Sequence, residues 1–282
     1  MASEGHEIRR SCRLLDVSSA GFYDWRDRPL SLRAVRHAWL TDLIREVHRE
    51  SRETYGSPRV HAELTLGRGI TVGRHTIAAL MRQAGIRGLP ATKRLRRNLN
   101  VATAADLVDR QFERDQPDEL WVTDITEHPT REGKLYCAVV LDVYSRRVVG
   151  WSIDSTQTTA LVTSALGMAI QNRSPSPGAI IHSDHGTQFT SWGFTRRAHE
   201  SGLLPSMGSV GDCFDNAVIE SFWGRVQVEL LNRQRWRTRV ELANALFEYL
   251  EIFHNRQRRH SSIGMRTPIE YERLRLEHLP VA

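Results

Sequence analysis

The segment from Leu135 to Tyr144 is apolar at nearly every position, and Asp142 is the exception. A run of this kind is typical of a strand covered on both faces of a sheet. Strand-like segments at 120–128 and 147–153 flank it across short turns, which predicts an antiparallel meander of three strands. The pattern then alternates between helices and strands, at 158–172, 179–184, 190–202, 203–207 and 218–231. We therefore expect an α/β fold.

Three carboxylates stand on these predicted elements. Asp124 lies on the first strand, and Asp184 ends a later strand, just before Gly186. Glu220 lies on the last helix of this series, off the apolar stripe of Val218, Phe222, Val226 and Leu230. Like charges that converge on one point need compensation, and a hard divalent cation with oxygen ligands supplies it. The pattern indicates a magnesium site for phosphoryl chemistry.

The residues around these carboxylates are specific. The first group is His182-Ser183-Asp184 with Gly186 and Gln188, and the second is Asp215-Asn216-Ala217 ahead of Glu220-Ser221-Phe222-Trp223. Together with Asp124 they resemble the DDE triad of retroviral integrases and, more closely, of OrfB-type transposases of the insertion-sequence-three family. The resemblance covers nearly the whole chain. It implies a ribonuclease-H-like integrase core, with a mixed five-stranded sheet and helices on both faces.

The resemblance also implies an activity. Asp124, Asp184 and Glu220 would be the catalytic residues and the ligands of Mg²⁺ or Mn²⁺, with two ions expected. The expected reaction is metal-dependent DNA strand cleavage and strand transfer at insertion-sequence ends. The implied partners are the terminal inverted repeats, the target DNA, further copies of the chain on DNA, and an upstream OrfA-type protein, separate or fused by frameshifting. No sustained heptad is present, so we expect this chain to be the downstream half.

Two other functions remain open. One is a simple metal-dependent nuclease that cleaves DNA and never joins it. The other is an inactive or regulatory DNA-binding transposase remnant. The sequence favours neither, because all three carboxylates are present with their surroundings.

The chain divides into three predicted regions. Residues 1–50 form an N-terminal helical region, with a short helical hairpin over 7–27 and a longer amphipathic helix after it. Residues 51–98 form a helix-turn-helix-like DNA-binding domain with a basic linker, although a purely structural hairpin is the alternative. Its first helix is predicted to begin with Ser57 as N-cap, and its second to span 71–81. Residues 112–275 form the integrase core with a C-terminal helix and tail.

The net charge of +6 is unevenly distributed. Residues 1–100 and 221–282 are basic, whereas 101–220 are acidic. Basic flanks suit contacts with DNA phosphates, and an acidic middle suits a metal site. Each basic segment also has an interpretation without DNA. The flanks could be a merely solvated surface, the linker a tethered loop, and the C-terminal segment a docking tail. The predicted DNA contacts are Arg74, His75, Lys93, Arg94, Arg96, Arg97, Arg258, Arg259 and His260.

Four further side chains have predicted roles. Gln227 shares a helix face with Glu220 and stands where many relatives have Lys or Arg, so we expect it to face DNA without a point charge. His182 is expected to steady the strand end behind the metal ligands. Asp142 is expected to cap the turn at Ser145. In the helix predicted from 240 to 253, Phe247 is expected to face inward.

Three further features concern the cellular location, the cysteines and one loop. It contains no run of eighteen apolar residues and no signal-peptide pattern, so we expect a cytoplasmic, nucleoid-associated protein without a membrane span. The three cysteines are widely spaced, which predicts free reduced thiols. Residues 208–215 are expected to form a mobile loop that orders around DNA or metal.

Overall fold

The computed structural model describes residues 8–90, 114–207 and 217–278. Three helices come first: α1 (Ile8–Leu14), α2 (Ser19–Asp27) and α3 (Leu32–Glu50). The predicted hairpin is confirmed, and the Ser18 hydroxyl caps α2 by accepting a hydrogen bond from the Gly21 N–H at 2.9 Å. The linker residues 91–113 and the predicted loop at 208–215 lie outside the described ranges.

The helix-turn-helix-like region consists of α4 (Ser57–Ala62), a π-helical turn at Glu63–Gly67, and α5 (Arg74–Gln83). The prediction that Ser57 is the N-cap was wrong, because the N-cap is Gly56 and Ser57 is already helical. Pro58 stands in the first turn, where its missing N–H has no intrahelical partner to lose. In α5, Ile77, Leu80 and Met81 are buried, as their spacing predicts.

The core is built on five strands. They are β1 (Leu120–Thr130), β2 (Gly133–Asp142), β3 (Val148–Asp154), β4 (Ile180–Ser183) and β5 (Leu204–Met207). Their order in the sheet is β3-β2-β1-β4-β5. The first three pair antiparallel, whereas β4 pairs parallel with both β1 and β5. This is the predicted mixed sheet with its meander.

Helices cover both faces of this sheet, because alternate side chains of each strand point to opposite sides. One face carries α6 (Thr159–Arg173) and α7 (Trp192–Glu200), which pack against Trp121, Ala138 and Val140. The other face, with Val122 and Val139, packs against α8 (Ala217–Glu229) in a cluster that also includes residues of α3 and α5. One face therefore joins the core to the helix-turn-helix-like region.

The chain ends in a mostly helical segment. After a 3₁₀ turn at Leu231–Arg233 come α9 (Arg239–Phe247), its π-helical continuation Glu248–Gln257, a second 3₁₀ turn at Ser261–Ile263, and α10 (Pro268–His278). The prediction that Phe247 faces inward was wrong, since its side chain is 49% exposed. Leu242, Leu246 and Leu250 form the buried stripe, and Phe247 lies about 100° round the helix from Leu246.

Two smaller predictions concern membranes and thiols. Within the described ranges, none of the helices combines the length and apolarity needed to cross a membrane. Cys12 and Cys137 are buried free thiols. Cys213 lies outside the described residues.

Candidate active site

Asp124 lies on β1, and Asp184 directly follows the neighbouring parallel strand β4. The register pairs Val122 of β1 with His182 of β4, so Asp124 and Asp184 occupy equivalent positions two residues further on. Side chains two residues apart share a face of the sheet, which puts Asp124 on the same side as Val122. That side is the one covered by α8.

Glu220 comes from α8 itself. Ile219, Phe222 and Val226 are buried against the sheet and fix the rotation of the helix, which leaves Glu220 exposed at its margin. The charges of Asp184 and Glu220 both raise the pKa of Asp124. The described structure therefore brings the three predicted carboxylates to one end of the sheet.

Asp124 has a strongly shifted pKa. Burial is the largest cause, and together with the neighbouring carboxylates it raises the pKa of Asp124 to about 7. The Ile125 N–H donates to its Oδ1 at 2.7 Å and opposes the shift. Asp184 is exposed, and its Oδ1 accepts a hydrogen bond from the Gly186 N–H at 3.0 Å.

Trp223 is a site residue that the sequence reasoning missed. Its indole lowers the pKa of Asp124, yet its buried Nε1 does not complete a hydrogen bond with any described residue. We take the indole N–H to be near Asp124 but short of full hydrogen-bond geometry. The sequence did contain a signal for Trp223, because it follows Glu220 by about one helical turn and lies on the same face of the helix.

The donors match a hard divalent cation in kind. All three are carboxylates, and their mutual repulsion is what a bound cation would relieve. In the described part of the chain, no three His, Cys, Asp or Glu side chains stand close enough together to hold a metal ion. Electrostatic repulsion acts over longer distances than coordination, which needs about 2.0–2.1 Å for magnesium. The carboxylates would therefore have to approach one another when a cation binds.

The other predicted site residues lie in several places. Arg74 and His75 are exposed at the start of α5. His182 is buried, and its Nδ1 hydrogen bonds with the Ser206 hydroxyl of β5 at 3.0 Å. Gln227 is half-buried, and its Oε1 accepts from Asn232 at 3.3 Å. The cluster Lys93, Arg94, Arg96 and Arg97 lies outside the described residues.

The predicted DNA contacts of the C-terminal segment need correction. Arg258 and Arg259 are each 3% exposed and His260 is 7% exposed. Arg258 pairs with Glu229 through Nε at 2.7 Å and Nη2 at 2.8 Å, and Arg259 pairs with Glu63 at 2.7 Å. Buried charges need such partners, so these side chains hold the fold together and do not form an exposed basic tail.

Asp142 caps its turn as predicted. Its Oδ2 accepts hydrogen bonds from the Ser145 hydroxyl at 2.6 Å and the Ser145 N–H at 3.2 Å. Burial raises the pKa of Asp142 to about 6 in spite of these bonds. Asp142 is a turn residue and does not belong to the carboxylate site.

Several known protein families and relatives match this chain. Two family models described as integrase core domains match residues 114–213 and 201–268, and a model described as an HTH-like domain matches residues 36–94. The chain is similar to the transposase for insertion sequence element IS629 of Shigella sonnei, with 38% identity over 96% of this chain and 93% of the relative. It is 33% identical to transposase InsF for insertion sequence IS3A of Escherichia coli strain K12, over 94% of this chain and 93% of the relative.

Among solved structures, the HTLV-2 integrase catalytic core domain in complex with magnesium is 22% identical and covers 55% of this chain and 97% of its own, with a TM-score of 0.39. The overall likeness to that structure is weak. The sequence relatives match along almost their whole length. The chain belongs to the insertion-sequence-three family of DDE transposases, which are polynucleotidyl transferases.

Proposed function

We propose that this chain cleaves DNA at the ends of its insertion sequence and joins the freed strands to a second site, in a reaction that depends on a divalent metal. Asp124, Asp184 and Glu220 are the proposed catalytic residues. The observation that carries the proposal is the placement of the three side chains: Asp124 on β1, Asp184 directly after the neighbouring parallel strand β4, and Glu220 on α8. The raised pKa of Asp124 agrees with this placement. Carboxylates are brought together in this way for cations, since the arrangement costs stability without one.

The three carboxylates would hold one or two Mg²⁺ or Mn²⁺ ions, which when bound activate a water or a 3′ hydroxyl and stabilise the leaving oxygen. Asp124 must lose its proton to act as a ligand. Its pKa of about 7 therefore couples cation binding to proton release near neutral pH. The Ile125 N–H donates a hydrogen bond to Oδ1 of Asp124, and the Gly186 N–H donates one to Oδ1 of Asp184, which restrains both carboxylates.

DNA binding is proposed for other parts of the chain. Arg74 and His75 are exposed at the N-terminus of α5, the position from which a recognition helix reaches DNA. The basic cluster from Lys93 to Arg97 would follow the phosphate backbone, and Gln227 would face DNA beside Glu220. The proposed assembly contains several copies of the chain on the element's ends, with an upstream OrfA-type protein, separate or fused.

The test combines melting curves with a cleavage and joining assay on DNA that carries the element's ends. Asp184→Asn removes a repelling charge and keeps the shape, so the metal-free variant should be as stable as the parent or more stable. In the parent, magnesium at about a hundredfold its Kd should add about 2.7 kcal/mol of stability, and the variant should lose most of this gain. Cleavage and joining should disappear while DNA binding persists.

Asp154→Asn is the matched control. Asp154 ends β3 and bonds to Thr156 and Ser155, away from the triad, so its variant should keep the magnesium response and the activity. A large loss of metal-free stability in Asp184→Asn, with cleavage intact, would make Asp184 a structural residue. If the parent nicks DNA but never joins it, the metal-dependent nuclease is favoured. If the parent binds DNA but neither nicks nor joins it, the inactive remnant is favoured.

A further inference from the structure

A cavity of about 310 Å³ lies on α8 to one side of Glu220. Its walls come from four parts of the chain: α4, the end of β2 with the turn after it, α8, and the π-helical stretch with the segment that follows it. Each part contributes an arginine, namely Arg59, Arg146, Arg225 and Arg258. The volume corresponds to on the order of ten waters, which is enough for a phosphate group with part of its hydration.

The positive charge in this cavity exceeds the negative charge. Glu229 is shared by Arg258, at 2.7 Å, and Arg59, at 3.4 Å. Arg146 and Arg225 form no ion pair within the described residues. Asp142 is the carboxylate that acts on Arg146, and its own hydrogen bonds go to Ser145 and neighbouring backbone.

The arginines of the cavity are close enough to repel one another, although Glu229 compensates part of the charge of Arg258 and Arg59. Burial lowers the pKa of Arg59, and the charges of Arg258 and Arg225 lower it further. His254 and His260 also line the cavity, where burial and then Arg258 lower the pKa of each, that of His254 to about 3. Both imidazoles are neutral at pH 7, so the arginines supply the positive charge of the cavity. The described residues that line the cavity include no carboxylate.

The mouth of the cavity is suited to a polyanion that continues outside it. Ser221, Ser261 and Ser262 line it and are exposed, and their hydroxyls can donate hydrogen bonds. On α8, Ser221 and Arg225 stand about 100° and about 140° round the helix from Glu220. The cavity is therefore separated from the carboxylates by on the order of 10 Å, the width of a helix with its side chains, or roughly three nucleotides of rise along a DNA strand.

We propose that this cavity binds a backbone phosphate of the DNA strand, roughly three nucleotides from the phosphodiester that lies at Asp124, Asp184 and Glu220. Arg225 and Arg146 are the charged donors, and a guanidinium presents paired N–H groups that fit phosphate oxygens. Arg59 would bring α4 to the same phosphate, so one contact would align the helix-turn-helix-like region and the core on the substrate. The inference rests on the proposed function, because the occupant is the DNA that this site would process.

The first test measures DNA binding without divalent metal, over a series of salt concentrations, with a duplex of arbitrary sequence. Arg225→Gln should lower the slope of log affinity against log salt by about 0.9, the effect of one lost phosphate contact, and should weaken binding about tenfold at moderate salt. Arg235→Gln is the matched control, because Arg235 is exposed and does not line the cavity. Equal slopes for the parent and Arg225→Gln, or equal losses in both variants, would overturn the proposal.

The second test uses inorganic phosphate as a probe and compares melting temperatures with chloride at the same ionic strength. Phosphate should raise the melting temperature of the parent and of Arg235→Gln, and Arg225→Gln and Arg146→Gln should lose most of that rise. A rise that is the same in all four proteins would place the phosphate elsewhere and refute the site. An Arg225-dependent rise in a parent that never joins DNA would keep the site and reject the proposed function.

Discussion

His254 shows how one buried side chain makes the stability of the molecule depend on pH. It is 3% exposed, and its Nε2 donates to the Arg146 carbonyl oxygen at 2.8 Å. Burial lowers the pKa of His254 to about 3, with Arg258 adding to the effect. The neutral form is therefore the one that folds.

We expect His254 to destabilise the protein in mild acid. Its folded pKa is below the unfolded value of 6.5, so its contribution is complete above pH 6.5 and is lost as the pH falls toward 3. From pH 6.5 to 4.5 this single group should remove up to about 3 kcal/mol of unfolding free energy. Urea denaturation of the parent and of His254→Gln, whose amide can still donate, measures the difference.

The variant should be less stable than the parent at pH 7, but its stability should fall less between pH 6.5 and 4.5. Asp124 and Asp142 have raised pKa values and act in the opposite direction, since their contributions are lost as the pH rises. They are common to both proteins and cancel in the comparison. Parallel pH curves for parent and variant would show that His254 is protonated in the fold without cost.

Single functional residues could be predicted from the sequence where the neighbouring residues form a local pattern. Asp124, Asp184 and Glu220 were predicted as a site from a strand-like segment, a strand end followed by a glycine, and a helical stripe, respectively, together with the motif around them. The Arg258–Glu229 pair was not found, because nothing local shows that a basic run will meet a carboxylate on another helix. A run of charge is compatible with solvent or with burial, and only tertiary packing decides which.

Gly150 lies at a close contact between β3 and α6. It lies on β3, and a Cβ there would stand 2.3 Å from the Ala165 carbonyl oxygen and 2.6 Å from the Ala169 N. Both atoms belong to the backbone of α6, so they cannot rotate away. The helix can lie directly on the strand only because Gly150 has no side chain.

Gly150→Ala should therefore push α6 off the sheet and destabilise the protein by about 1–3 kcal/mol or more. Gly167→Ala, on α6 itself, is the matched control, because its Cβ would meet only the Arg197 side chain at 3.9 Å. Alanine at that helical position should stabilise by roughly 0.5–1 kcal/mol. Chemical denaturation separates the two, and equal effects would mean that the contact between β3 and α6 is not tight.

Elements were predictable to the extent that their periodicity is local. The five strands and most helices fall within a few residues of their predicted ranges, because burial of one or two faces leaves a repeat in the sequence. The π-helical stretches at Glu63–Gly67 and Glu248–Gln257 were not predicted. A π-helix differs from an α-helix in its backbone hydrogen bonds. The pattern of apolar residue types in the sequence does not reveal that difference.

At the scale of the whole molecule, buried contacts attach the helix-turn-helix-like region to the C-terminal segment. Tyr55 is 2% exposed, and its hydroxyl donates to the Gln257 carbonyl oxygen at 3.0 Å and accepts from the Arg259 N–H at 2.7 Å. The Arg259 side chain pairs with Glu63 in the same region. Apolar residues of α3 and α5 share one cluster with β1 and α8. This arrangement predicts a single cooperative unit.

We expect one thermal unfolding transition, with calorimetric and van't Hoff enthalpies that agree. Tyr55→Phe removes the shared hydroxyl and leaves the buried Arg259 N–H without its acceptor, which costs about 1–3 kcal/mol. Because the regions unfold together, the variant should move the whole transition to lower temperature. Tyr23→Phe, at a position 40% exposed on α2, should leave it unchanged. Two separate transitions, of which Tyr55→Phe shifts only one, would contradict this prediction. They would show that the two regions are joined only by a tether, so that DNA has to align them.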